Sequence, residues 1–202
     1  MSHPAMPELG CALLRLARAA IERALGMPGH ALPPFSEAVE AALDAPGATF
    51  VTLTQRGALR GCIGSLVAHR RLREDVQANA VAAALEDPRF APLSAAELPR
   101  TEVEVSLLSP PQPIPVHSRA EALRALRPGV DGVIFSWGPY RSTFLPQVWE
   151  QLPEPEVFLQ HLVAKAGLPP DFWDTGVRLQ RYTVEKWRES DVESGFEKRT
   201  DV

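Results

Sequence analysis

The sequence predicts an α+β fold in which a mixed, largely antiparallel sheet is flanked by helices. Apolar residues recur at helical spacing in several segments, and other segments are β-branched or alternate between apolar and polar residues. Two pairs of predicted strands are joined by short turns, which makes those pairs antiparallel. With 202 residues, 45% hydrophobic and 23% charged, the chain has the composition of an ordinary globular protein.

Helices are predicted from periodicity and from residues that begin or end a helix. In the first, Leu13, Leu16 and Ala20 share an apolar stripe, and Gly26 supplies a stop. Ser36 and Ser118 are placed to cap later helices through their hydroxyl groups. The predicted helices cover residues 9–25, 36–43, 72–85, 118–127 and 155–166.

Strands are predicted where β-branched and aromatic residues cluster or alternate with polar residues. The proline-rich stretch 110–115 is expected to stay out of a sheet interior, because proline has no N–H to donate. Polar residues 190–202 are expected to form a flexible tail. The predicted strands cover residues 50–54, 59–63, 101–108, 132–137, 141–145 and 177–184.

Charge and composition exclude several classes of protein. The formal net charge is 21 − 25 = −4, so no nucleic-acid binding through a general basic field is expected. Two cysteines, Cys11 and Cys62, give neither a disulfide framework nor a cysteine-rich zinc site, and no metal or cofactor is expected. No secretory signal and no apolar stretch of about 18 residues is present, which predicts no membrane association and a cytoplasmic location with reduced thiols.

The segment Arg60-Gly61-Cys62-Ile63-Gly64 carries the main functional hypothesis. Alternate side chains of a strand share a face, so Leu59 and Ile63 are expected in the core, with Arg60 and Cys62 together on the opposite face. A guanidinium beside a thiol favours the thiolate, which suits a nucleophile or a thiol ligand. The alternative is that Cys62 is a small buried apolar residue and Arg60 covers the sheet edge.

The two glycines of this segment allow two interpretations. Glycine in a strand marks a bulge or a close approach of another group to the backbone. At Gly61 and Gly64 that group is either a ligand or a helix packed over the sheet.

Other polar residues are candidates for the same site. Glu104 and Ser106 alternate with apolar residues, and next to the Cys62 strand Glu104 would serve as a general base and Ser106 as a ligand contact. His69 follows the Cys62 strand and is a second candidate proton carrier. Arg89 either binds a ligand or stabilises its own loop by pairing with Asp87. For Glu104 and Ser106, the alternative is that this face of the strand is polar because it is exposed to solvent.

Several separate motifs together resemble the AMMECR domain family, whose bacterial and archaeal members are called protein A of the AmmeMemoRadiSam system. The similarity covers about residues 9–187 in the family order. The motifs are Phe50-Val51-Thr52-Leu53-Thr54, Leu59-Arg60-Gly61-Cys62-Ile63-Gly64, Asp87-Pro88-Arg89-Phe90 with Pro92-Leu93, Glu97-Leu98, Val105-Ser106-Leu107-Leu108, Phe144-Leu145-Pro146-Gln147-Val148, Phe158-Leu159, Lys165-Ala166-Gly167-Leu168 and Trp173.

The resemblance implies a single domain over residues 1–189, with a mixed sheet and helices in a larger lobe, a smaller second lobe, and a cleft lined in part by the Arg60-Gly61-Cys62 segment. Family members often occur beside a Memo-like protein and a radical-SAM protein, so both are expected partners. The resemblance implies no established reaction. Two hypotheses follow: a small enzyme or modification factor acting on a small-molecule ligand, or a non-catalytic partner or regulator of the Memo-like or radical-SAM protein.

Overall fold

The computed structural model describes residues 6–28 and 32–191. The chain divides into two compact units, one running to Leu108 and resuming at Glu185, and the other formed by Ser109–Val184. In chain order, the helices and strands are α1 Met6–Ala24, α2 Glu37–Asp44, β1 Pro46–Gln55, β2 Ala58–Gly64, β3 Arg70–Arg71, α3 Leu72–Leu85, β4 Glu102–Leu108, β5 Gln112–Ile114, α4 Arg119–Ala125, β6 Gly132–Trp137, β7 Tyr140–Phe144, α5 Pro155–Lys165, β8 Arg178–Tyr182 and β9 Val184–Arg188.

The first unit is built on an open sheet with the strand order β2-β1-β4-β9, and the short β3 pairs with the start of β1. One face of this sheet carries buried apolar residues, among them Val51, Leu53 and Val105, in a common core with residues of α1 and α3. The opposite face, which we call the outer face, carries the partly buried side chains of Thr52, Cys62 and Glu104. Alternation along each strand explains the division, because neighbouring residues point to opposite faces.

The second unit is built on an antiparallel sheet with the strand order β5-β8-β6-β7. Its core includes the stacked rings of Trp149 and Phe158, whose centroids are 3.7 Å apart, and the Trp149 indole N–H donates to the carbonyl of Asp131 at 2.7 Å. The proline-containing β5 is an edge strand, as the missing N–H of proline requires. No described helix has both the length and the apolar character needed to cross a bilayer.

The predicted α+β class is confirmed, and the structure has two open antiparallel sheets. Each predicted helix is present, and α3 has the predicted bounds of residues 72–85. One predicted strand was wrong. Residues 177–184 do not form one strand, because the chain leaves one sheet after Tyr182 and enters the other at Val184. The tail predicted over residues 190–202 lies outside the described residues from residue 192 onwards.

Leu59 was wrongly predicted to lie in the core: the side chain is 43% exposed, whereas Ile63 packs against the core as predicted. The cause is a bulge. The register between β1 and β2 shifts after Leu53, so that Leu53 pairs with Gly61 but Thr54 pairs with Leu59, and Arg60 is the extra residue. A bulge interrupts the two-residue alternation on which the prediction depended.

Candidate functional site

Cys62 lies on the outer face in a row of residues that crosses three strands. Thr52 lies on the middle strand, β1. It pairs with Cys62 of β2 on one side and with Glu104 of β4 on the other. The Thr52 hydroxyl donates a hydrogen bond to the Cys62 Sγ at 3.4 Å. Glu104 was considered as a neighbour of the Cys62 strand, but β1 lies between β2 and β4, which puts Glu104 roughly 10 Å from Cys62, two strand spacings away.

The free edge of β2 is covered by the segment that follows α3. The Asp87 Oδ2 accepts the Cys62 backbone N–H at 2.8 Å, and the Arg89 Nη2 donates to the Cys62 carbonyl at 3.2 Å. These bonds satisfy backbone groups that an edge strand otherwise leaves without a partner. The Asp87-Pro88-Arg89-Phe90 motif therefore fixes the backbone of Cys62 as well as its own loop.

The guanidinium hydrogen-bonded to Cys62 is that of Arg89, which reaches the backbone carbonyl of the cysteine from Nη2. The pKa of Arg89 is raised, first by its side-chain hydrogen bonds with Asp87 and in smaller part by Coulomb and hydrogen-bond interactions with Cys62. Arg60, the predicted neighbour of the thiol, instead donates from Nε to Glu97 Oε1 at 3.1 Å and forms an ion pair there. Arg60 is the extra residue of the bulge, which explains why two-residue alternation did not predict the position of its guanidinium.

Phe90 lies between these two arginines. The Arg60 Cζ is 5.9 Å from the centroid of the Phe90 ring, and the Arg89 Cζ is 5.6 Å from it. Cations at this range are attracted to the face of an aromatic ring by about 0.5–1 kcal/mol at exposed sites. The ring thus helps to hold both guanidinium groups near β2, and each group also forms an ion pair with a carboxylate.

The two glycines of the segment have packing contacts that explain the absence of a side chain. A Cβ on Gly61 would lie 2.1 Å from the carbonyl oxygen of Ala83 in α3, and one on Gly64 would lie 2.3 Å from the Phe50 ring. For Gly61 the close approach is that of a packed helix, which is one of the two interpretations of the sequence. Ligand binding at either glycine stays a prediction.

In the described part of the chain, the hydrogen bonds of the other predicted site residues go to groups other than the Cys62 sulfur. Glu104 accepts a hydrogen bond from the Arg188 Nε at 2.6 Å. The exposed His69 holds its Nδ1 2.9 Å from the Val67 carbonyl oxygen. Ser106 is buried and pairs in register with Phe50 on the outer face. Their predicted roles as proton carriers or ligand contacts stay predictions.

Sequence reasoning did not identify Thr52 as a site residue. Its position in a β-branched stretch indicated only a strand. The signal was present in the spacing, because a hairpin that pairs residues 52 and 62 puts their side chains on one face. Locating the bulge that sets this register required the structure.

Acid is expected to weaken the attachment of this segment to β2. Hydrogen bonding from Arg89 is the main cause of a pKa of Asp87 well below its usual range. Hydrogen bonds from the Ser94 backbone and then from Arg60 lower the pKa of Glu97 from 4.5 to about 2. Because both pKa values are lowered in the folded state, the stabilisation is present above the unfolded values of about 3.9 and 4.3 and is lost as pH falls towards the folded values.

Urea denaturation at a series of pH values tests this expectation. The difference in free energy of unfolding between the wild type and a Glu97→Gln variant should be largest near neutral pH and shrink between pH 4.5 and about 2. A Glu156→Gln variant is a positive control for the method, because the hydrogen bond from Arg119 also lowers the pKa of Glu156 and its difference should shrink in acid in the same direction. If the difference for Glu97→Gln does not change with pH, the lowered pKa of Glu97 is contradicted.

Comparisons with known proteins identify the family. The sequence profile named AMMECR1 matches residues 14–187. A protein of Methanothermobacter thermautotrophicus is 38% identical over 193 residues, which cover 92% of this chain and 97% of that protein. A protein of Thermococcus gammatolerans is 39% identical over 195 residues, covering 90% of this chain and 91% of that protein.

The fold is also similar to a solved structure. The crystal structure of the uncharacterized protein PH0010 from Pyrococcus horikoshii matches with a TM-score of 0.74 and 37% identity, covering 90% of this chain and 92% of that chain. The profile match spans most of the sequence, and both relatives align over nearly their whole length. The chain therefore belongs to the AMMECR1 family.

Proposed function

We propose that this protein is a small enzyme or modification factor in which the Cys62 thiol is the reacting or ligand-binding group. The observation that carries the proposal is that the Thr52 hydroxyl donates a hydrogen bond to the Cys62 Sγ at 3.4 Å on a partly buried polar face, while the Arg89 guanidinium donates to the carbonyl of the same residue at 3.2 Å. Donors and positive charge around a sulfur stabilise its thiolate, which is the nucleophilic form.

The proposed roles differ from residue to residue. Cys62 supplies the sulfur, Thr52 donates a hydrogen bond to it, and Arg89 supplies the positive charge. Arg60 is assigned to holding the covering segment, because its guanidinium is engaged by Glu97 and by the Pro92 carbonyl. The substrate is proposed to be a small molecule with an electrophilic centre, since a thiolate reacts with electrophiles.

The rate of Cys62 alkylation tests this proposal. In a Cys11→Ser background, Cys62 is expected to react at neutral pH several-fold faster than free cysteine, because a hydrogen-bond donor lies at its sulfur and a cation is bonded to its carbonyl. A Thr52→Val variant should react several-fold more slowly. Thr54→Val is the matched control, because the Thr54 hydroxyl lies 3.5 Å from Glu102 rather than next to the sulfur. A rate no higher than that of free cysteine would reject the proposal.

The second candidate function is that of a non-catalytic partner or regulator of a Memo-like or radical-SAM protein. The observation that favours it is that, within residues 6–28 and 32–191, the carboxylate and imidazole groups predicted as proton carriers are hydrogen-bonded elsewhere and not to Cys62. Retention of a stimulatory effect on such a partner by a Cys62→Ser variant would select this function. Turnover by the isolated protein that Cys62→Ser abolishes would reject it.

A further inference from the structure

The Asp87 carboxylate accepts four hydrogen bonds, one of them from Cys62. Its side chain is 2% exposed. Oδ1 accepts the Arg89 backbone N–H at 3.1 Å and the Arg89 Nε at 2.9 Å, and Oδ2 accepts the Arg89 Nη2 at 2.6 Å and the Cys62 N–H at 2.8 Å. One buried carboxylate thus bonds both the backbone N–H of the cysteine and the guanidinium that bonds the carbonyl of the same cysteine.

Arg89 depends on this carboxylate for its orientation. Its side chain is 53% exposed, and its other hydrogen bond through Nη2 goes to the Cys62 carbonyl at 3.2 Å. A long exposed arginine that is not held adopts many rotamers, and ordering it costs conformational entropy. The two parallel bonds to Asp87 fix the planar group in one orientation.

We propose that Asp87 is a positioning residue for Cys62, which holds the Arg89 guanidinium against the cysteine and fixes the backbone of β2 at that point. This inference rests on the proposed function, because it assigns Asp87 a role in the reactivity of the same thiol. Asp87 bonds the Cys62 N–H and acts on the sulfur through Arg89.

The direction of the effect separates positioning from a simple electrostatic role. A carboxylate near a thiol disfavours the thiolate through like-charge repulsion, so removal of that charge alone would increase the reactivity of the thiol. If Asp87 positions Arg89, its removal releases the guanidinium and decreases the reactivity instead. The two roles therefore predict opposite changes for one substitution.

The test measures the ultraviolet thiolate absorbance and the alkylation rate of Cys62 at neutral pH in the full chain carrying Cys11→Ser. Asp87→Asn is expected to lower the alkylation rate several-fold, because the Arg89 guanidinium loses the carboxylate that orients it. Arg89→Ala should lower it by a similar factor. Adding Asp87→Asn to Arg89→Ala should give no further decrease, because the guanidinium to be positioned is already absent.

Two results would overturn the inference: a faster reaction of the Asp87→Asn variant, or the same slowing by Asp87→Asn in the Arg89→Ala background. Arg89→Lys provides a second test should Asp87→Asn fail to fold, because lysine keeps the charge but lacks the planar fork that two parallel bonds orient. A several-fold decrease for Arg89→Lys is expected, and the wild-type rate would contradict the inference.

The outcomes also separate this inference from the proposed function. If Cys62 in the otherwise unchanged protein reacts no faster than free cysteine, the proposed function fails first. If Cys62 reacts fast and Asp87→Asn leaves the rate unchanged, only the positioning role of Asp87 is rejected.

Discussion

Replacement of Asp75 by asparagine is expected to lower the free energy of unfolding by about 3–5 kcal/mol, the usual cost of removing one partner from a buried ion pair. The Asp75 side chain is fully buried and forms an ion pair with Arg70 at 2.9 Å. The other donors to its two oxygens, at 2.7–2.9 Å, are the Thr49 N–H and hydroxyl, the Ser65 hydroxyl and the Asn79 amide.

The large effect follows from the number of donors that Asp75 satisfies. An asparagine amide has one oxygen and one NH₂ group. At least one of the donors around position 75 would therefore face the NH₂ group instead of an acceptor oxygen. A buried donor without an acceptor costs about 1–3 kcal/mol. The network also links β1, the loop after β2 and α3, so its loss weakens several contacts of the first unit at once.

Urea denaturation at neutral pH measures this change. Asp44→Asn is the matched control, because Asp44 accepts a hydrogen bond from Arg73 at 3.0 Å but its side chain is 55% exposed. Exposed pairs contribute about 0–1 kcal/mol, so the control should change little. A loss below about 1 kcal/mol for Asp75→Asn would show that the network rearranges without strain, contrary to this expectation.

Replacement of Gly61 by alanine is expected to destabilise the protein by about 3 kcal/mol, at the upper end of the usual cost of overpacking. The added Cβ would lie 2.1 Å from the Ala83 carbonyl oxygen and 3.1 Å from the Ala83 carbonyl carbon. These are backbone atoms of a buried helix, so rotation of a side chain cannot relieve the clash. Either α3 or β2 must move, and β2 carries Cys62.

Gly57→Ala is the control for the Gly61 prediction. Gly57 has a φ of +79° and no atom within 4 Å of the added Cβ, so the substitution introduces conformational strain without a clash. That strain is about 1–2 kcal/mol. Thermal and urea unfolding should therefore rank Gly61→Ala as the more destabilising change. Equal costs at the two positions would contradict the close helix–strand contact.

The outer face illustrates how far the sequence predicts the candidate site. Two-residue alternation correctly indicated that Cys62 and Glu104 lie on the polar side of their strands, because that property depends only on local backbone geometry. It did not indicate that β1 lies between them, since strand order depends on contacts between segments distant in the chain. Local periodicity therefore could not predict the distance between Cys62 and Glu104.

The Asp87-Pro88-Arg89-Phe90 segment shows the same limit. Its turn residues predicted a helix end and pairing of Asp87 with Arg89, and both are present. Its attachment to Cys62, 25 residues earlier, is a contact between segments that periodicity does not detect. For the same reason, Arg60, which is close in the chain, was predicted to lie beside Cys62. The hydrogen bond from Arg89 to Cys62 was not predicted.

The sequence by itself determined the helices, most strand positions, the α+β class and the motifs of the AMMECR1 family. Periodicity, capping and turn residues act over a few neighbouring positions and need no knowledge of the rest of the chain. Only the tertiary structure decided that Thr52 bonds the Cys62 sulfur, that Arg89 bonds the Cys62 carbonyl, and that Asp75 and Gly61 hold the first unit together. The physical reason is that a strand register with one bulge, and the packing of α3 onto β2, bring together residues whose separation in the sequence carries no local signal.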